Sequence, residues 1–565
     1  MSQQAGGETS EDSVDRRTAN LGKAALALAA LTLAIGWLAS HFSLFHYRPG
    51  GGMFSEIIAP AVLGLYTIGF LVALRSKTLG GLICIPVVAT ALPMVYQQLS
   101  LRQALPLLGA LGLAAVGWFL AGLQRHHLLI TAPAVVLVLT TSVIGFRTVW
   151  NYHQRQWGPT HTESTAQLQP SDVVWAWVGG VTTDHAIVTV KAEPASTLRL
   201  AYSTDPAMAS LQFAEQLSFE NEVASFSLDG LQADTEYHYA VEVDDELDAA
   251  RTGRFSTFAE GPASFVLAFG SCARTGSNGS VFDTIRGHDP LMYLITGDFF
   301  YADIPDNNPE RFEEAFDVTL TAPSQSELYR STSIGYVWDD HDFGPNNSDA
   351  TSDSRDAALS SYRRLVPSYP LAGPTTTIHQ AFTVGRVRIV MVDSRSARIK
   401  NETMLGTEQK EWLIDELVES SKTHAVVIWL NPDPWVGESG SDYWAEFPKE
   451  RAELSQVIAD NDINNLVMIS GDAHMIALDD GTNTNYSTKP GKGFPVLHAA
   501  ALDRPGGTQG GPYTGGVFPG PGQFGLVKIF DDGDEVSVVL EGRDSSDEVL
   551  TSLRFEPEMP ADLKR

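Results

Sequence analysis

Between residues 264 and 474 the chain repeats one device six times: a short run rich in Val, Ile and Leu that stops at polar residues. Phe265–Phe269 runs into Gly270-Ser271-Cys272-Ala273-Arg274, and Leu291–Ile295 into Gly297-Asp298-Phe299-Phe300-Tyr301. Tyr336–Trp338 ends in Asp339-Asp340-His341-Asp342, and Ile389–Val392 in Asp393-Ser394-Arg395. Ala425–Leu430 ends in Asn431-Pro432-Asp433, and Leu466–Ile469 in Gly471-Asp472-Ala473-His474. Apolar runs of this length read as strands buried on both faces. Thr407–Ser420 and Pro448–Asp460 between them have helical spacing. Strands alternating with helices predict an α/β layer architecture, and groups at the carboxyl ends of such strands converge on one rim.

The residue types at those ends point to metal chemistry. Asp339 to Asp342 place four ionisable groups in succession after an apolar run, a poor core and a good ligand loop. Cys272 and Tyr301 are anionic donors once deprotonated, suited to a strong Lewis acid such as ferric iron. Asp298, Asp340, Asp342, Asn346 and Asp472 offer hard oxygens suited to calcium, magnesium or manganese. His341 and His474 bring imidazole for a metal or for proton transfer. Arg274 and Arg395 are candidates to clamp phosphate oxygens.

On these motifs the segment from about Ser264 to Leu540 resembles the alkaline phosphatase D (PhoD-like) family of metallophosphoesterases. The matching pieces are Gly270-Ser271-Cys272, Gly297-Asp298-x-x-Tyr301, Val337–Asp342, Val392–Arg395, Met404–Leu413 and Gly471–His474. The resemblance implies a β-sandwich core flanked by helices, iron plus calcium, and hydrolysis of phosphodiesters and monoesters. Carried over by position, it gives Cys272, Asp298 and Tyr301 to iron, with Asp298 bridging to a second metal. Asp340, Asn346, Asp472 and His474 are then candidates for the remaining ligands. The match leaves open the choice among Asp339, Asp340 and Asp342, and between Asn346 and Asn347. His341 is expected either to protonate the leaving group or to bind metal. Asn431 stands where related phosphatases place a His. Purple acid phosphatases share the Gly297–Tyr301 pattern, but their Gly-Asn-His and Gly-His-x-His motifs are absent.

The first half of the chain reads differently. After a polar tail over residues 1–20 come five apolar segments: Leu21–Ser40, Ile57–Leu74, Leu79–Tyr96, Ala104–Leu123 and Leu128–Phe146. Their length fits bilayer-spanning helices. Arg16, Arg17, Lys23, Arg75, Lys77 and Arg125 lie in alternate loops, which predicts a cytoplasmic N-terminus. The expected location is therefore the cell membrane, multi-pass, with the catalytic half extracytoplasmic. Apart from Lys23 at the edge of the first, no carboxylate or Lys interrupts the spans, so they read as an anchor.

A linker over 148–170 leads into a stretch of period two, with short strands expected from Val173 to Phe258. Leu228–Val243 resembles the corner of fibronectin type III domains, with Tyr237 as the corner tyrosine. The expected fold is thus multidomain: an all-α transmembrane bundle (21–147), a fibronectin III-like β-sandwich (171–259) and an α/β metallophosphatase-like β-sandwich core flanked by helices (260–556), then a short tail. The balance of 38 Lys and Arg against 68 Asp and Glu gives a formal charge of -30, which argues against nucleic acid as a partner. No partner protein is legible. With only Cys84 and Cys272, a disulfide framework is not expected. The function expected is a membrane-anchored phosphoesterase using metal-activated hydroxide on a phosphate-ester substrate. Two other readings are a hydrolase of lipid head groups and a non-enzymatic, metal-stabilised binding protein.

Overall fold

Five-residue runs such as Met292–Thr296 and Leu466–Ser470 are buried at every position, so they need neighbours on both faces and both edges. The computed structural model describes residues 164–563, apart from 165, 196, 374, 439, 441 and 500, together with 84 and 116. All six apolar runs are strands there. Phe265–Gly270, Met292–Thr296 and Ser333–Val337 pair in parallel in one sheet. Val387–Met391, Val426–Leu430 and Leu466–Ser470 pair in parallel in a second. Each element's polar residues follow its carboxyl end, so the two sheets present their functional residues from the same strand ends.

The first sheet has ten strands. On one side Gln523–Asp531 pairs antiparallel with Phe265–Gly270, and the chain folds back through Val536–Asp544 and Val549–Phe555. On the other side Ser333–Val337 meets Val173–Gly179, in parallel register at Gly179 and Ile334. His185–Ala192, Val223–Asp229 and Glu215–Glu220 extend the sheet from there. The second sheet has seven strands and adds the antiparallel Gln380–Val384 at one edge. A third, five-stranded sheet holds Leu198–Ser203 against Glu236–Val243. The Tyr237 hydroxyl accepts the Gln232 backbone N–H at 2.9 Å.

These mixed, continuous sheets correct the expected architecture. The strands of 171–259 do not stand apart as a sandwich of their own, because one layer of them continues the sheet that holds Phe265–Gly270, Met292–Thr296 and Ser333–Val337. Side chains lock the joint. Trp175 and Trp177 are fully buried. Trp177 stacks on Phe299 at 5.7 Å and donates to the Leu365 carbonyl. Trp175 donates to Asp317 at 2.7 Å. Lys191 reaches Glu313 at 2.9 Å and Asp317 at 2.6 Å on helix Pro309–Leu320. Removing one such buried Trp costs about 3–5 kcal/mol.

The expected transmembrane bundle and multi-pass location are also corrected. Among the described residues no helix is long and apolar enough to cross a membrane. Gly406–Thr423 has 18 residues, but Lys410, Glu411, Asp415, Glu416 and Glu419 interrupt it. The five apolar segments between 21 and 146 lie outside the described residues, as does most of the linker.

Candidate metal centre

Four of the expected ligands sit in the left-handed backbone region just past their strands: Cys272 at φ 62°, Asp298 at 52°, Asp472 at 70° and His474 at 50°. Non-glycine residues held there cost about 1–3 kcal/mol each and gather at functional sites. Gly297 precedes Asp298 at φ 91°, and a Cβ on it would lie 2.4 Å from the Asp339 Cβ. Only glycine lets the Asp298 turn approach the Asp339–Asp342 turn so closely.

The turns bring together three overlapping groups of ligand atoms, each within 4.8 Å: Cys272, Asp298 and His474; Asp298, Asp340 and His341; Asp339, Asp340 and Asp472. Asp298 and Asp340 are shared, the arrangement needed for neighbouring ions. The Cys272 Sγ lies 3.4 Å from Asp298 Oδ2. The Tyr301 hydroxyl donates to Asp298 Oδ2 at 2.6 Å and meets His474 Nε2 at 2.8 Å. The His474 Nδ1–H donates to the Pro505 carbonyl at 2.9 Å, which turns Nε2 toward the cluster.

The electrostatics fit a cation. Burial, then Asp298 and Asp472, push the Cys272 thiol well above its ordinary value. Burial likewise raises the Tyr301 phenol and lifts Asp298 to about 6. Asp472 is raised well above the carboxylate range by burial and by Asp442 and Asp340. Its Oδ2 is buried without a hydrogen-bond partner, as is Asp339 Oδ2. Anionic donors facing one another in a dry pocket, with orphaned oxygens among them, are stabilised by metal ions and by little else.

The neighbouring residues divide by what they touch. Asp342 accepts from the Asp339 and Phe299 N–H groups and from the Tyr336 hydroxyl, so it holds the turn together. Asp340 Oδ2 accepts the Asn347 N–H at 2.6 Å. The Asn346 side chain donates to Asn347 Oδ1 at 2.5 Å. His341 Nδ1 lies 2.5 Å from Asp303 Oδ1. Burial opposes its charge, yet Asp340, Asp298 and Asp303 hold its pKa up at about 9.

The two arginines named from the sequence differ. The Arg274 side chain is 46% exposed and its Nε lies 3.1 Å from Asp503. Arg395 is fully buried, paired with Asp339, with Asp442 at 3.0 Å and with Asp433 at 3.3 Å. Arg398 joins it on Asp433 and Asp442.

Sequence reasoning missed several members of this environment. Arg504 places its guanidinium 4.1 Å over the Tyr301 ring, with its buried Nε unpartnered. It opens the Gly- and Pro-rich stretch Arg504–Gly525, whose composition carries no ligand signal. His498 lies behind the Gly471–His474 turn, with Nδ1 2.9 Å from the Ser470 hydroxyl and Nε2 accepting the Ala473 N–H. Asp303 was legible in principle, two residues after Tyr301 on the same turn.

Residues 267–497 match the family model for PhoD-like phosphatases. Over 178 residues the chain is 28% identical to alkaline phosphatase D of Bacillus subtilis (strain 168), an alignment covering 24% of this chain and 30% of that protein. The match therefore spans less than a third of the curated relative's length. A solved structure of PhoD superposes with a TM-score of 0.55 at 14% identity, covering 70% of this chain and 94% of that one. The purple acid phosphatase PPD1 from yellow lupin (Lupinus luteus) seeds gives 0.53 at 14% identity, over 69% and 75%. At such identity the two structures speak for the fold alone. The family match falls on the strand-end motifs, so residues 267–497 are similar to PhoD-like phosphatases.

Proposed function

We propose that this protein is a metal-dependent phosphoesterase that hydrolyses phosphodiesters, phosphomonoesters or both at the Cys272–His474 cluster. The observation that carries the reading is the sharing of Asp298 and Asp340 among three adjacent ligand groups. Cys272, Asp298 and Tyr301 are the donors assigned to iron. Asp340, Asp472, His474 and Asn346 are candidates for the remaining ligands, with His474 beside Cys272 and Asp298 and the oxygen donors suited to calcium. Bound there, the ions supply Lewis-acid polarisation of the phosphoryl group and an acidified water.

The chain's own residues do the rest. His341, oriented by the Asp303 carboxylate on its Nδ1, gives its Nε2 proton to the departing alkoxide as the ester P–O bond breaks and water oxygen joins phosphorus. Arg504 over Tyr301 and the half-exposed Arg274 are the guanidinium groups offered to the phosphoryl oxygens. Arg395 plays a different part, holding Asp339 and the 433–442 loop against the turn that carries Asp340. The buried Tyr336 hydroxyl and Phe299 N–H, both donating to Asp342, fix that turn's shape.

The test is hydrolysis of bis-p-nitrophenyl phosphate and p-nitrophenyl phosphate by metal-replete, folded protein. Calcium-dependent turnover and a visible absorption band from a tyrosinate on ferric iron are expected. Folded, metal-replete protein that hydrolyses neither ester would sink the reading.

A further inference from the structure

A second cavity, of about 190 Å3, lies outside the metal cluster, at the start of helix Gly406–Thr423. Its walls include Arg355, Thr377, His379, Thr407 and Glu408. The helix has no side-chain cap at its N-terminus. Leu405 N–H is taken by Glu450 and Gly406 N–H by Thr403. The Thr407 and Glu408 N–H groups have no intrahelical acceptor by the geometry of a first turn, and the helix dipole makes that end positive.

Two side chains independently await a ligand there. His379 is 2% exposed. Its Nδ1 meets the Thr377 hydroxyl at 3.0 Å and its ring packs on Trp412 at 4.4 Å. The opposite edge, Nε2, has no partner among the described residues and is left to the cavity. Burial lowers the pKa of this imidazole, so with Nδ1 accepting from Thr377 it presents a neutral Nε2–H donor. Arg355 has a buried Nε without a partner, and its guanidinium forms no hydrogen bond or ion pair among the described residues. In a chain with 68 acidic against 38 basic residues, an arginine left without a carboxylate marks a place reserved for an outside anion. Glu408, exposed at the helix start, is the one carboxylate among the described residues that line the cavity.

We infer that this cavity is a second anion site that takes a small tetrahedral oxyanion, inorganic phosphate in the first instance, on Arg355, His379 and the Thr407–Glu408 amides. The site shares a wall with the metal centre's supports. Gln409, which also lines it, clamps Asp393 through the backbone N–H at 2.7 Å and the carbonyl at 2.8 Å. Asp393 in turn accepts from Trp338 Nε1 and from the Arg395 and Ser396 N–H groups. Phosphate bound here would therefore rest against the same loop that holds Arg395.

Calorimetric titration of the metal-replete protein with inorganic phosphate tests the site and needs no turnover. Wild type should show a class of phosphate binding that Arg355→Gln weakens about ten-fold or more, the worth of a charge-assisted hydrogen bond. Inhibition of ester hydrolysis by phosphate at the catalytic cluster should be unchanged in that variant. Glu408→Gln should tighten the same class several-fold, since it removes the one carboxylate among the described residues that line the cavity. If Arg355→Gln fails to fold, Glu408→Gln still decides. Phosphate binding that is absent, or equal in wild type and the folded variants, overturns the inference. If the phosphoesterase reading fails, hydrolysis is absent while Arg355-dependent binding persists.

Discussion

Replacing Asp303 by Asn removes one anion from the His341 imidazole while keeping the side chain's size. The pair is 2.5 Å apart, with side-chain exposures of 12% for His341 and 30% for Asp303. A charge-assisted hydrogen bond in such a setting is worth about 1.5–3 kcal/mol. Asp340 and Asp298 precede Asp303 among the groups that hold the imidazolium up, so the loss belongs at the lower end, about ten-fold in kcat. The sign follows from the role. A proton donor works while protonated, so activity falls as pH rises through the His341 pKa, which the carboxylates around the imidazole hold above its ordinary value. Removing an anion lowers that pKa, and the alkaline limb of the rate profile moves to lower pH. The assay is the pH dependence of kcat for bis-p-nitrophenyl phosphate at saturating metal, with KM followed in parallel. An unchanged kcat and an unmoved alkaline limb in Asp303→Asn would refute His341 as the proton donor.

Three further outcomes follow from the geometry. Lys191→Met removes the ammonium shared by Glu313 and Asp317, which keep Arg364 and Trp175 as partners; urea unfolding should show a loss of about 1.5–3 kcal/mol, and a change under about 0.5 kcal/mol would mean that this ion pair contributes nothing to the joint. His498 is pushed down to about 3, by burial first and His474 second, so below about 6.5 the unfolded chain binds a proton that the folded chain does not. Stability should then fall by about 1.4 kcal/mol per pH unit as pH drops through that window, and His498→Gln should flatten the slope by one proton in denaturant titrations at several pH values. Arg504→Ala should raise KM for a phosphomonoester about ten-fold or more in steady-state kinetics; an unaltered KM removes Arg504 from the phosphate site.

How far the sequence was legible depended on the length of the signal. The six apolar runs were readable as strands because burial on both faces leaves no polar position to blur the pattern. The metal-competent residues were readable because Cys272, Asp298, Asp340, Asp472 and His474 each follow such a run within a few residues. What was not readable depends on pairing. Nothing local to Val173–Gly179 says that its free edge meets Ser333–Val337, so strands that alternate like a separate sandwich became part of a larger sheet. Arg395 looked like a phosphate clamp because its carboxylate partners, Asp433 and Asp442, lie about forty residues downstream in a loop without periodicity. Asp342 looked like a ligand until its partners, Tyr336, Phe299 and Asp339, were placed around it. Arg504 and His498 reach the cluster from segments whose composition says only loop and strand. The apolar segments before residue 147 resemble membrane spans by length and hydropathy; no described helix supports that reading or the location drawn from it.

The account stands on ions held at the strand ends by shared carboxylates. The most direct measurement is elemental analysis of the purified protein beside its Asp298→Asn variant, both checked for folding by circular dichroism. Wild type should carry more than one metal ion per chain, iron among them, and the variant should lose iron together with part of the second metal, because Asp298 belongs to two of the ligand groups. Folded wild-type protein that binds no metal after reconstitution, or a variant that keeps its full complement, would contradict it.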